Sequence, residues 1–77
     1  MNEKQRKRLD MALDNINFAI GIVSSVFDEE NEKLSNYPEQ LQCTEQYGAM
    51  EEGADHLSEA VDCLETAVSE IKASTER

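Results

Sequence analysis

The sequence predicts an all-α fold: an antiparallel two-helix hairpin of the coiled-coil type that dimerises into a four-helix bundle. Three observations lead to this fold class. Apolar residues recur every three to four positions in two long stretches, a proline separates these stretches, and the first stretch carries further apolar residues outside its main stripe. The length of 77 residues allows one domain, which we place over residues 1–77.

The first stretch predicts a helix over about residues 3–35. Its apolar stripe alternates steps of four and three positions and is interrupted once, at Glu30. The stripe consists of Leu9, Leu13, Ile16, Ile20, Val23, Phe27 and Leu34. Because Pro38 lacks an amide donor and disfavours helical angles at Tyr37, we expect the helix to end near Ser35.

The second stretch repeats this spacing without interruption and predicts a helix over about residues 44–73, with Thr44 as its N-cap. Its stripe consists of Met50, Ala54, Leu57, Val61, Leu64, Val68 and Ile71. The connection covers residues 36–43 and has room for a short helical turn over residues 38–42. Two long helices joined by so short a connection are usually antiparallel neighbours.

Small residues flank both stripes at a spacing of seven and predict a close approach of the two backbones. They are Ala12 and Ala19 in the first helix, and Gly53, Ala60 and Ala67 in the second. Gly53 has two interpretations, close packing against the first helix or a local weakness that costs roughly 1 kcal/mol relative to alanine. Close packing predicts that Gly53→Leu lowers the melting temperature.

Three apolar residues of the first helix, Met11, Phe18 and Ile22, lie outside its stripe. Phe18 is two positions from Ile16, which is about 200° around a helix. They are either scattered surface residues or the contact surface of a homodimer. We favour the homodimer, because a two-helix hairpin has little core and helices gain most of their stability from packing.

The charge is strongly polarised along the chain. The net charge is −10, yet residues 1–8 hold four bases and one acid. A nucleic-acid-binding arm is one interpretation of Lys4, Arg6, Lys7 and Arg8. We favour pairing with acids near the end of the second helix, Glu65, Glu70 and Glu76, because the rest of the chain repels phosphates. We therefore expect no direct binding of nucleic acid.

The second helix is acidic throughout. Eight carboxylates and no lysine or arginine lie between Glu45 and Glu70, and Asp55, Glu59 and Asp62 form a ridge at helical spacing. Such a ridge is either a solubilising surface or a surface that binds a basic protein, including one that normally binds nucleic acid. The candidate partner-binding residues are Glu51, Glu52, Asp55, Glu59, Asp62 and Glu65.

The sequence offers no catalytic set, phosphate-binding loop or metal motif, so we expect neither an enzyme nor a cofactor. His56, with Glu52 and Glu59 nearby, has the residue types of a cation site, but we interpret it as a surface histidine. Cys43 and Cys63 are interpreted as reduced thiols. The longest apolar run, Phe18–Val23, has six residues, which predicts a cytoplasmic protein without a membrane span.

Four short strings resemble a known group of proteins. They are Arg6-Lys7-Arg8-Leu9, Asp28-Glu29-Glu30, Asn36-Tyr37-Pro38-Glu39-Gln40-Leu41-Gln42 and Met50-Glu51-Glu52. With them the chain resembles small acidic helical-hairpin proteins of phages and integrated mobile elements of Gram-positive bacteria. The resemblance implies an intracellular accessory protein that binds host machinery, such as a restriction or CRISPR nuclease, and it assigns no residue a role.

Overall fold

The computed structural model describes residues 1–76, which form two long helices joined by a short turn. Helix α1 covers Glu3–Ser35, helix α2 covers Glu45–Thr75, and a 3-10 turn covers Glu39–Leu41. The described part contains no strand. The molecule measures 59 × 15 × 14 Å. Its radius of gyration of 17.5 Å exceeds the value of about 11 Å for a compact domain of this length, so the hairpin is a rod.

Helix α1 begins with a capping box and ends at the predicted residue. The side chain of Asn2 accepts a hydrogen bond from the amide of Gln5 at 2.8 Å, and the side chain of Gln5 accepts one from the amide of Asn2 at 3.2 Å. At the other end, the amide of Asn36 donates to the carbonyl of Glu32 at 3.1 Å. The proline two residues further on prevents a longer helix.

The connection is ordered by its own side chains. Thr44 accepts a hydrogen bond from the amide of Tyr47 at 3.3 Å, which confirms the predicted N-cap of α2, and its hydroxyl donates to the carbonyl of Leu41 at 2.7 Å. The rings of Tyr37 and Tyr47 meet edge to face with centroids 5.2 Å apart. This contact links the end of α1 to the first turns of α2.

The two helices pack antiparallel, as predicted. Every residue of both predicted stripes is at least partly covered, but within residues 1–76 only Ala54 and Val68, 3% and 9% exposed, are buried. The remaining stripe residues are half-buried, because each helix covers only one side of the other. The core is therefore a single thin seam.

Close packing at Gly53 was the wrong interpretation. Ala12, Ala19, Ala60 and Ala67 are half-buried along the edges of the seam, but Gly53 is exposed. A Cβ atom added at Gly53 meets no other atom within 4 Å, because the position faces open space beside the interface. Gly53 is thus a local weakness of α2, worth about 1 kcal/mol relative to alanine.

Candidate interaction surfaces

The hairpin presents two outer surfaces of opposite character. The apolar face of α1 consists of Met11, Phe18, Ile22 and Val26. The acidic face of α2 consists of Glu51, Glu52, Asp55, Glu59, Asp62 and Glu65. Both surfaces belong to helices that the seam holds in place, so their residues keep fixed positions along a rod.

The apolar face of α1 is uncovered in the hairpin. Phe18 is 73% exposed, Met11 67% and Ile22 52%, and all three point away from α2, as their spacing predicted. Val26 is also exposed and was missed from the sequence. The sequence does indicate that Val26 belongs to this face, since Phe18, Ile22 and Val26 follow one another at steps of four.

A shallow groove accompanies this face. It passes Phe18, Gly21, Ile22, Ser25 and Val26, and it is open to solvent along its length. Gly21 contributes no side chain, and a Cβ atom added there meets nothing within 4 Å. An open apolar groove on a helix suits another helix better than a small molecule, which binds in an enclosed cavity.

The acidic face of α2 extends from the side opposite the seam, at Glu59, to one flank of the seam, at Glu65. Glu59 is nine positions before Val68, which is about 180° around the helix. All six carboxylates are exposed, and none makes an ion pair within the described residues. Glu65 lies nearer to α1 than the other acids and forms the rim of the face. The hairpin therefore leaves this charge without a neutralising partner.

Three of the four bases in the N-terminal basic segment do not form the ion pairs predicted with α2. Lys4, Lys7 and Arg8 are exposed and make no ion pair within residues 1–76, although acids such as Glu70 lie in the last turns of α2. Arg6 is half-buried. Long basic side chains at the end of a rod remain solvated, because an exposed ion pair gains only about 0.2 to 1 kcal/mol.

Residues with metal-binding or redox chemistry are dispersed over the surface. His56 is exposed on α2, and in the part of the chain that the structure describes no three histidine, cysteine or acidic side chains are grouped to hold a metal ion. Cys43 and Cys63 are exposed free thiols, one in the connection and the other in α2.

Helix α1 is long and apolar enough to cross a membrane by length and composition alone. Some core helices of soluble proteins and signal sequences meet the same criterion, and α1 lies near the N-terminus of this chain. Asp14, Asn15 and Asn17 interrupt its apolar surface. The cytoplasmic location without a membrane span thus stays a prediction.

The fold and these surfaces define a class of molecule, an all-α hairpin with two exposed faces. No protein-family model matches the chain, and comparisons with curated proteins and with solved structures find no significant similarity.

Proposed function

We propose that the protein is a non-enzymatic interaction module whose acidic face of α2 docks on a basic surface of another protein. The observation that carries the proposal is the uncompensated charge: six exposed carboxylates on one rigid helix, without an ion pair among the described residues. Like charges at helical spacing repel one another. A basic partner relieves this repulsion, and the chain itself does not.

The most concrete form of this function is inhibition of a protein that binds nucleic acid, such as a nuclease of a host defence system. Asp55, Glu59 and Asp62 repeat along α2 at intervals of about 5 to 6 Å. Held on a rod, these carboxylates offer a basic groove a linear array of charge in place of phosphates. Complementary charge accelerates association and selects partners of the right sign. A phage or mobile-element product would use this binding against its host.

A displacement experiment tests the proposal. Proteins from a bacterial host lysate are bound to immobilised double-stranded DNA at low salt, and the purified protein is added in excess. We expect it to release a small, reproducible set of DNA-binding proteins. Polyglutamate of equal total charge is the control for charge alone and should not release the same set.

A matched pair of variants locates the surface. Asp55→Lys, Glu59→Lys and Asp62→Lys together should abolish the release without loss of helicity. The control carries the same charge change elsewhere, as Asp10→Lys, Asp28→Lys and Glu39→Lys, all at exposed positions away from α2. Equal activity of both triple variants, or release of the same proteins by polyglutamate, contradicts a specific acidic docking surface.

The apolar face of α1 supports a second candidate function, a self-associating structural or adaptor bundle without an electrostatic target. The exposed Met11, Phe18 and Ile22 favour it, because a surface of this kind is usually covered by another protein surface. One result distinguishes the two candidates. A structural bundle keeps its self-association and its function when the charge of the acidic face of α2 is reversed.

A further inference from the structure

The apolar face of α1 has charged residues of opposite sign at its two ends. Lys7 and Lys4 lie 11 and 14 positions before Phe18, and Glu29 and Glu32 lie 11 and 14 positions after it. The charges are thus symmetric about Phe18 in position and opposite in sign. Two apolar residues between them follow the same symmetry approximately, with Met11 seven positions before Phe18 and Val26 eight positions after it, whereas the position symmetric to Ile22 is Asp14.

These charges share the direction of the apolar residues. At 100° per residue, both lysines and both glutamates point within about 40° of Phe18. All four are exposed, and none makes an ion pair among the described residues. One side of α1 therefore presents a positive end, a largely apolar middle that also includes Asp14 and Ser25, and a negative end.

We propose that this side of α1 binds a second copy of the same chain, antiparallel, with a two-fold axis at Phe18. In this dimer Phe18 packs beside Phe18 of the second copy, and Met11 packs near Val26 of the second copy. Lys7 faces Glu29 and Lys4 faces Glu32 of the second copy, and the symmetry repeats each pair. The surface is self-complementary, as a two-fold interface requires.

The opposite orientation is unfavourable. A parallel pair of α1 helices places lysines on lysines at one end and glutamates on glutamates at the other. The hairpin does not neutralise the acidic end itself, because Lys33 is the one base between residues 28 and 52 and it already pairs with Glu30 at 3.2 Å. An antiparallel second copy supplies the missing charge at both ends.

This placement of the four charges also destabilises helix α1 itself. Cations near the N-terminus of a helix and anions near its C-terminus oppose the helix macrodipole. Lys4 lies in the first turn of α1 and Glu32 in the last. Their placement does not stabilise α1 alone, but the antiparallel dimer uses it.

The dimer is independent of the proposed function. It places the two α1 helices side by side at the centre and the two α2 helices outside, which leaves the acidic face of α2 uncovered. Failure of the DNA displacement therefore leaves the dimer intact, and a monomeric protein can still displace DNA-binding proteins.

Sedimentation equilibrium with charge-reversed variants tests the arrangement. The wild type should sediment at twice its chain mass of 8.7 kDa. Lys4→Glu with Lys7→Glu should weaken the dimer by about tenfold or more, as should Glu29→Lys with Glu32→Lys, because four ion pairs become repulsive contacts. The quadruple variant should restore the wild-type affinity, since it exchanges the two ends. These changes favour the macrodipole, so circular dichroism should show helicity at least equal to that of the wild type.

An apolar variant tests the middle of the face. Phe18→Glu should give a monomer. The control Asn31→Glu introduces the same residue at an exposed position about 140° away from Phe18, and it should leave the dimer unchanged. A monomeric wild type contradicts the proposal, and so does a dimer that tolerates either double reversal. Co-sedimentation of the wild-type monomer with phosphatidylglycerol vesicles, lost in Phe18→Glu, identifies a lipid surface as the occupant instead and also overturns it.

Discussion

Helices α1 and α2 are nearly equal in length, 33 and 31 residues, and they share the same stripe spacing, but their outer surfaces differ. The outer side of α1 exposes Phe18 and its apolar neighbours, whereas the outer side of α2 exposes carboxylates. The stripes account for the hairpin and say nothing about partners. The outer surfaces are irrelevant to the hairpin, and they determine what it can bind.

The largest effect is expected in the seam, where α1 and α2 pack against each other. Val68→Asp places a carboxylate at one of the two buried positions among residues 1–76, where it is largely removed from water. We expect a loss of about 3 kcal/mol or more of unfolding free energy, enough to unfold a hairpin with a thin seam. Ser69→Asp, at the exposed neighbouring position, is the control. Retained helicity of Val68→Asp by circular dichroism would show that the seam is not the main stabilising contact.

A smaller effect, the gain in stability from replacing glycine with alanine, should distinguish the outer surface of α1 from that of α2. Gly53 in α2 and Gly21 in α1 both face open space within the hairpin, so alanine at either position should stabilise its helix by about 1 kcal/mol. This corresponds to a rise of roughly 4 to 8 °C in melting temperature. If a second copy covers the groove at Gly21, the gain there is smaller than at Gly53.

Gly48 provides the control for this comparison, because it is the second glycine in α2 and also has open space around it. Gly48→Ala should match Gly53→Ala. Equal gains at all three glycines, measured by thermal unfolding at high protein concentration, would indicate that α1 remains uncovered.

Most of the fold could be predicted from the sequence, because spacing and chain breaks are local properties. The repeat of three and four positions, Pro38 and Thr44 together predicted both helices, and only the end of α2, at Thr75 rather than near residue 73, lies beyond the expected range. Gly53 was misjudged because a spacing of seven identifies the edge of a stripe, and the direction of a missing Cβ atom depends on how the two helices rotate against each other.

The surfaces were only partly predictable. Exposure of Phe18 and of the carboxylates follows from their distance around the helix from the stripes, and the structure agrees. The pairing expected for Lys4, Lys7 and Arg8 did not form among residues 1–76, because proximity of opposite charges on a surface does not order long side chains. The identity of a partner depends on a second surface, which one sequence does not contain.

The antiparallel dimer is tested most directly by measuring the distance between the α1 helices of the two copies. A nitroxide spin label at Asn31→Cys, in a chain with Cys43→Ser and Cys63→Ser, reports it by pulsed electron resonance. The antiparallel dimer centred on Phe18 predicts a separation of about 40 Å between the labels, at 1.5 Å per residue. A separation under about 25 Å, as in a parallel pair, or no measurable separation, as in a monomer, would contradict the account.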